Sequence, residues 1–458
     1  MKSQIHCHHV GSAPPPNAWR PNTAARHPPG RDGRQAAFGP ASPFDTFSGA
    51  PGLPQAPGNA KHIIIRGMIY LDNNATTRMH AEVFDAMKPF LTEQFGNPSS
   101  VHRLGQEARQ ALEQARYQVA ALLSCAAAEI VFTSGGTEAD IAAIMGTVAA
   151  RPDKRTIVTS SVEHSAVRET LQHLARTGWK IVEIPVDHLG RLDFNALADA
   201  LKDPTVALLT VMWANNETGV LFDVPAIGAL AKKHGVPLHV DAVQAVGKTP
   251  IQFSPPGSVR GESPVDLLAI SAHKFHGPKG VGALAIRRGI RWQPLLRGGP
   301  QEHERRGGTE NVAGIVGMGV AAAMAAKALG DPQHAAEIAR LRDQLESGIR
   351  AAIPDAHING DPANRVCNTT NIGFAGLEAE AILLLLSQHD ICASAGAACS
   401  SGSLEPSHVL RAMHIPQRVA HGAIRFSLSS YNTRADVEEA LHVLPEIVER
   451  LRRVLPVA

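Results

Sequence analysis

From about residue 68 onward, short apolar runs alternate with amphipathic stretches. Residues 81–92 read as a short helix, and residues 105–123 place Ala108, Ala111, Leu112, Ala115, Val119 and Leu122 at helical spacing. Glu129–Ser134, Thr156–Ser160, Ile181–Val186, Thr205–Trp213 and Val236–Val240 are short apolar runs that read as strands. The run 205–213 is nearly continuous, the sign of a strand buried on both faces. Gly135-Gly-Thr-Glu138 opens a helix running to about Ala150. This β–α–β rhythm predicts an α/β fold, a mostly parallel sheet covered by helices with right-handed crossovers. Two further runs, Val265–Ile270 and Val281–Ile286, read as buried strands flanking the polar stretch Ser271-Ala-His-Lys-Phe-His-Gly-Pro-Lys-Gly280.

Near residue 313 the pattern changes. Ala313–Ala328 is a small-residue helix and 334–352 a charged one. Thr369–Phe374, a helix through Leu386, Ile424–Leu428 and a final helix from about Arg434 follow. We read residues 80–325 as a large domain, 326–458 as a smaller α+β domain, and 68–79 as a segment joining the small one. Residues 1–67 stand apart. Their 11 prolines and eight glycines, with no apolar periodicity before Ile63, predict disorder. Their excess of seven Lys/Arg over two Asp/Glu invites a transit-peptide reading, but the prolines oppose the amphipathic helix it needs. Met68 immediately precedes the first organised segment, so translation from Met68 is a second expectation. Mass spectrometry of the native chain tests it.

Composition narrows the function. A chain of 458 residues exceeds one compact core, so two or more domains are expected. The net charge of +2 gives no reason to invoke nucleic acid or an anionic membrane as partner, and no uninterrupted apolar stretch of membrane-spanning length is expected. Five scattered cysteines (Cys7, Cys125, Cys367, Cys392, Cys399) argue against a disulfide framework or a resident Cys-based metal site and suit a reducing cytoplasm.

The candidate chemistry lies after strands, where open α/β sheets bind ligands. Gly136 and Thr137 sit between a strand and a helix start, as a phosphate cup does, although such a turn is more often a plain helix cap. Asp241 ends an apolar strand, and Gln244 follows three residues on. His164 also follows a strand; alone it reads as a structural residue. Lys274, between two core strands, is either a loop lysine or a reactive amine. Together these groups fit pyridoxal phosphate. Its aldehyde takes a lysine amine, its phosphate takes amides and hydroxyls, and its pyridine nitrogen takes an acid.

The motifs Tyr70-Leu-Asp-Asn-Asn-Ala-Thr-Thr77, Phe95-Gly-Asn-Pro-Ser-Ser100, Thr133-Ser-Gly-Gly-Thr-Glu138, Glu163-His164, Ala214-Asn-Asn-Glu-Thr-Gly219, His239-Val-Asp-Ala-Val-Gln-Ala245, Ser271-Ala-His-Lys274, Gly307-Gly-Thr-Glu-Asn311, Ala398-Cys-Ser-Ser-Gly-Ser403 and Ile424-Arg-Phe-Ser-Leu428 occur in order. In these the chain resembles the cysteine desulfurases, class V pyridoxal-phosphate enzymes of fold type I. Val211–Gly219 and Ser403-Leu-Glu-Pro-Ser-His408 resemble the nitrogen-fixation (NifS) branch most. The resemblance implies a seven-stranded sheet and a set of roles. Lys274 would hold the cofactor as a Schiff base. Gly136, Thr137, Ser271 and His273 would hold its phosphate, and Thr309 would reach the phosphate of the other subunit of a homodimer. Asp241 would meet the pyridine nitrogen, Gln244 the ring oxygen, and Asn216 the cofactor near the substrate. Arg425 would clamp the carboxylate of L-cysteine, with His164 assisting proton transfer.

Cys399 would take the sulfur as a persulfide and pass it to an iron–sulfur scaffold protein, with transient cluster ligation possible in chemical terms. It lies in Ser394-Ala-Gly-Ala-Ala-Cys-Ser-Ser-Gly-Ser403, whose small residues predict mobility. Ala272 and Ala397 stand where the family usually has Gly and Ser. The rival reading is another class V aminotransferase or lyase, which would need Lys274 and Asp241 but not Cys399. A non-catalytic scaffold would not need the site residues at all.

Overall fold

A computed structural model of the protein describes residues 67–253, 265–395 and 406–454. Among these, twelve strands form three sheets. In chain order they are β1 (Ile69–Tyr70), β2 (Ile130–Thr133), β3 (Thr156–Ser160), β4 (Lys180–Ile184), β5 (Val206–Met212), β6 (Leu238–Asp241), β7 (Leu267–Ser271), β8 (Gly282–Ile286), β9 (His357–Asn359), β10 (Thr369–Gly373), β11 (Ile391–Cys392) and β12 (Ala423–Ser427). The largest sheet has seven strands in the order β2-β8-β7-β6-β5-β3-β4. Only β8 runs antiparallel to its neighbours. The link from Ser271 to Gly282 is too short to hold a crossover helix, so β7 and β8 must form a hairpin.

The predicted α/β class and seven-stranded sheet are borne out, with strand ends moved by at most two residues. The run 129–134 splits: Ala127–Glu129 is a 3-10 turn and only Ile130–Thr133 pairs. The short strands β1, β9 and β11 carry too few residues for an apolar pattern and were not expected. Helix Arg103–Leu123 buries Ala108, Leu112, Ala115, Val119 and Leu122 as the spacing predicts, and it also buries Arg116. That guanidinium makes a two-pronged pair with Glu302, at 2.7 and 2.8 Å. Burial lowers the Arg116 pKa and Glu302 raises it, with a net rise.

One sequence expectation needs correction. Helix Val312–Leu329 is long and apolar enough, by length and composition, to cross a membrane. Its position explains the composition. A Cβ on Gly317 would meet Met87 Sδ at 2.6 Å, and one on Gly319 would meet Ala115 Cα at 2.6 Å. Small residues let this helix press into helices Ala81–Thr92 and Arg103–Leu123, with Ile315, Met318, Ala321 and Ala322 buried in the large core.

The second sheet, β12-β10-β9, is antiparallel. Helices Pro332–Ala352, Ala379–Gln388 and Arg434–Val454 share a core with it, built on Leu345, Phe374, Ile382, Phe426 and Leu444. Leu71 belongs to this core, and β1 pairs in parallel with β11. The chain entering from residue 67 is therefore tied to the C-terminal sheet before it builds the large one.

Candidate active site

The parallel strands β3, β5, β6 and β7, together with β2, deliver their carboxyl ends to one edge of the large sheet. Each end carries a polar group. β2 leads into helix Gly136–Ala149, β3 into His164, β5 into Asn216; β6 ends on Asp241, and β7 on Ser271 with Lys274 in the turn beyond. These residues line one cleft of about 480 Å³, with Thr137, Gln244, His273 and Arg425. The expected site residues Lys274, His164, Gly136, Thr137, Asn216, Asp241, Gln244, Ser271, His273 and Arg425 thus converge. Thr309 does not line this cleft; it lies on a separate pocket with Arg306, Glu310 and Asn311. Cys399 and most of its segment, 396–405, lie outside the described residues.

The local folding rules are visible at each position. Helix Gly136–Ala149 begins without a side-chain cap, so its first amides face the cleft without the usual Ser, Thr or Asp acceptor. A Cβ on Gly136 would meet Val243 Cγ2 at 2.8 Å, so only glycine lets the helix start lie this close to β6. His164 caps helix Ser165–Arg176: its Nδ1 accepts from Ala166 N–H at 3.1 Å, which leaves the proton of a neutral ring on Nε2. Burial lowers the His164 pKa, and the charges of Lys274 and Arg168 push the same way against Asp241. The ring is neutral at pH 7.

Asp241 is 6% exposed, and its Oδ1 accepts from Val243 N–H at 2.9 Å. Burial raises its pKa above the usual carboxylate range, opposed by His164, that amide and Lys274. Below it lies more buried acid. Asp140 Oδ1 and His239 Nε2 stand 3.5 Å apart, neither making a hydrogen bond. Burial first, then Asp241 and Glu163, push Asp140 far up, and burial lowers His239 to about 3. Both shifts disfavour the charged forms of these two groups, and Asp241 lines the cleft at the end of β6.

Lys274 Nζ donates to the carbonyls of Asn74 at 2.6 Å and Ala75 at 3.0 Å. Gln244 Nε2 donates to the same Asn74 carbonyl at 2.9 Å. Arg425, 2% exposed, donates through Nη2 to Asp72 Oδ1 at 2.6 Å and through Nη1 to the Asn216 carbonyl at 3.0 Å. Buried Glu217 also lines the cleft and accepts from Ser407 Oγ at 2.5 Å, while His408 Nε2 lies 3.0 Å from the Glu163 carbonyl. These two contacts fasten the described residues that follow the Cys399 segment to the cleft wall.

Sequence reasoning passed over Asn74, Asp140, Glu217 and Lys248. Asn74, Asp140 and Glu217 sat inside or beside quoted motifs. Lys248 carried one signal, its place four residues after Gln244.

The site fits pyridoxal phosphate on its own chemistry. An uncapped helix start with Ser271, Thr137 and His273 beside it suits a phosphate dianion. A buried carboxylate at the cleft wall suits a protonated ring nitrogen, and an amine, Lys274, lines the same cleft. A mostly parallel sheet with this lysine, acid and helix start at its carboxyl edge defines a pyridoxal-phosphate enzyme of fold type I.

Comparison with known proteins narrows the class. The sequence pattern of the aminotransferase class-V family matches residues 69–440. Cysteine desulfurase 2 of Trichormus variabilis is 51% identical over 389 residues, 85% of this chain and 95% of that protein. Cysteine desulfurase NifS of Azotobacter vinelandii is 50% identical over 390 residues, 85% of this chain and 94% of that protein. A solved NifS-like protein superposes with a TM-score of 0.77 at 38% identity, covering 84% of this chain and all of that one. The chain belongs to the class V aminotransferase family, among its cysteine desulfurases.

Proposed function

We propose that the cleft converts L-cysteine to L-alanine, that the sulfur leaves as a persulfide on Cys399, and that it is handed to an iron–sulfur scaffold protein. The observation that carries the reading is the convergence of Lys274, Asp241, His164 and the uncapped helix start in one cleft. Pyridoxal phosphate bound there supplies an electron sink for the carbanion left when the Cα proton departs.

The chain's own groups do the rest. Lys274 anchors the cofactor and moves the Cα proton at Nζ. Gly136, Thr137, Ser271 and His273 hold the phosphate, Asp241 the ring nitrogen and Gln244 the ring oxygen. Arg425 takes the substrate carboxylate with a guanidinium fork suited to it, and Asn216 lies beside it. His164, neutral and carrying its proton on Nε2, acts as the general acid. Cys399 Sγ, as thiolate, attacks the substrate sulfur. An S–S bond forms, the Cβ–S bond breaks, and its electron pair stays with the carbon fragment, which is protonated to alanine. The balance is one L-cysteine and one thiol giving one L-alanine and one persulfide.

Thr309 lies away from this chain's cleft, which agrees with a role at the partner's phosphate in a homodimer. The likeness to a relative named NifS supports the reading of sulfur supply for nitrogenase clusters, which we propose takes place in the cytoplasm. We assign residues 68–79 and 326–458 to the small domain and 80–325 to the large one.

The test is release of alanine and sulfide from L-cysteine with a thiol reductant. Cys399→Ala should lose both while keeping the cofactor's visible absorbance; unchanged release in that variant overturns the assignment. Copurification with a nitrogenase-type rather than a general scaffold tests the finer role.

A further inference from the structure

A second lysine stands behind the first. Lys248 Nζ donates to Gln244 Oε1 at 2.6 Å and to Asn74 Oδ1 at 3.3 Å. It lines a crevice of about 90 Å³, which Lys274 also lines, whereas Gly136 and Thr137 line the larger cleft. Gly247, at φ +75°, makes the turn that brings Lys248 inward, where a Cβ would meet Phe275 Cβ at 3.0 Å. Asn74, 2% exposed, joins the two lysines: its carbonyl receives Lys274 and Gln244, and its side-chain oxygen receives Lys248. Its amide nitrogen donates to Thr369 Oγ1 at 2.9 Å and to the Asn216 carbonyl at 3.2 Å.

An ammonium can only donate. With Lys248 behind it, the Gln244 side chain must turn its oxygen toward Lys248 and its NH2 toward Asn74 and the cleft. The amide therefore offers a hydrogen-bond donor, not an acceptor, to whatever ring oxygen enters. The second effect is electrostatic: two like charges gathered on one residue disfavour each other.

We propose that Lys248 is a positioning residue of this site, which fixes the direction of the Gln244 amide and, through its charge, favours the neutral amine at Lys274. The proposal rests on the reading that Lys274 binds the cofactor. Burial lowers Lys248 to about 7, and Lys274 and Arg425 push the same way against Cys367, so its charge acts on Lys274 in full below that pH and fades above it. The remaining titratable groups around it are the crevice imidazoles His80, His276 and His334. Burial lowers His80 and His276, so these two are neutral at pH 7. Burial raises the Cys367 thiol despite the charge of Lys248.

The experiment compares wild type with Lys248→Met, Lys248→Gln and Lys248→Arg. In the holoenzyme without substrate, the visible absorbance of the cofactor is titrated with pH. In the apoprotein, trace acetylation with acetic anhydride followed by peptide mass spectrometry gives the titration of Lys274 directly. Met and Gln should move both midpoints up by about one unit, tenfold in the equilibrium, and Arg should restore them. Cofactor release should quicken about tenfold in Met and Gln as the Gln244 amide loses its anchor. Midpoints unchanged in both neutral variants, with native circular dichroism, overturn the proposal; so does a shift equally large in Arg. Borohydride reduction of the holoenzyme and mapping of the tagged peptide separates the two readings. A tag away from Lys274 defeats the site assignment itself, and a tag on Lys274 with unmoved midpoints defeats only the role of Lys248.

Discussion

Replacing Arg425 by Lys should raise KM for L-cysteine steeply while leaving kcat and cofactor content nearly unchanged. The guanidinium is buried on β12 and braced on two sides, by Asp72 at 2.6 Å and the Asn216 carbonyl at 3.0 Å. Lysine keeps the charge but loses the fork. A charge-assisted hydrogen bond contributes about 1.5–3 kcal/mol, so losing one prong to the substrate carboxylate weakens binding about 10- to 150-fold. That contact is made alike in ground and transition states, so the loss falls on KM. The neighbouring acid supplies a control of opposite sign. Asp72→Asn leaves the fork in place but removes a negative charge beside the site that a substrate anion would enter. KM should then stay level or fall. Steady-state alanine formation from L-cysteine, with visible absorbance to count loaded sites, measures both variants. If Arg425→Lys and Asp72→Asn raise KM equally, the pair is a structural brace between the N-terminal segment and β12, and the carboxylate-clamp argument fails.

Gly282→Ala should weaken cofactor binding at least about tenfold, because its Cβ would meet Gly135 C at 2.6 Å and the Ile270 carbonyl oxygen at 2.7 Å, which cannot yield without shifting the backbone of the helix start or of β7; equilibrium dialysis of pyridoxal phosphate checks it, and wild-type affinity refutes it. Glu302→Gln should cost about 3 kcal/mol by removing the closer of the two carboxylates on the buried Arg116 charge, leaving only half-exposed Glu113 at 3.3 Å, and the Arg116→Met, Glu302→Gln double variant should lose less than the two single changes summed, as read from urea unfolding. His408, lowered to about 4 mainly by burial, titrates in the unfolded chain near 6.5 but not in the native one. Between pH 4 and 6.5 the unfolded state binds the extra proton, so this residue makes stability fall as pH falls; His408→Gln should flatten the stability–pH slope there by up to about 1.4 kcal/mol per unit. An unchanged slope refutes the assignment of that proton.

What was legible in the sequence follows from how each feature is encoded. The central strands of the large sheet are buried on both faces, so Val206–Met212 appears as an apolar run broken only by Thr210 and needs no partner to be recognised. The polar residues just beyond such runs were also legible, because the carboxyl edge of a parallel sheet is where the chain must turn and where Asp241, His164 and Lys274 therefore gather. Three things were hidden. Helix Val312–Leu329 has the composition of a membrane span, since tight packing of small residues and immersion in lipid select the same letters; only the approach of Gly317 to Met87 and Gly319 to Ala115 distinguishes them. Arg116 breaks the apolar face of its own helix, and its partner Glu302 lies 186 positions away. The hub at Asn74 was hidden most deeply. A short amide within a motif of small polar residues carries no periodicity or charge, and its importance is a property of what folding brings to it: two lysines, a glutamine, and the β10 residue Thr369. A site is therefore read from sequence through the groups that do chemistry. The groups that hold them in place become visible only when distances are known, and Lys248 is the residue on which that distinction can be measured.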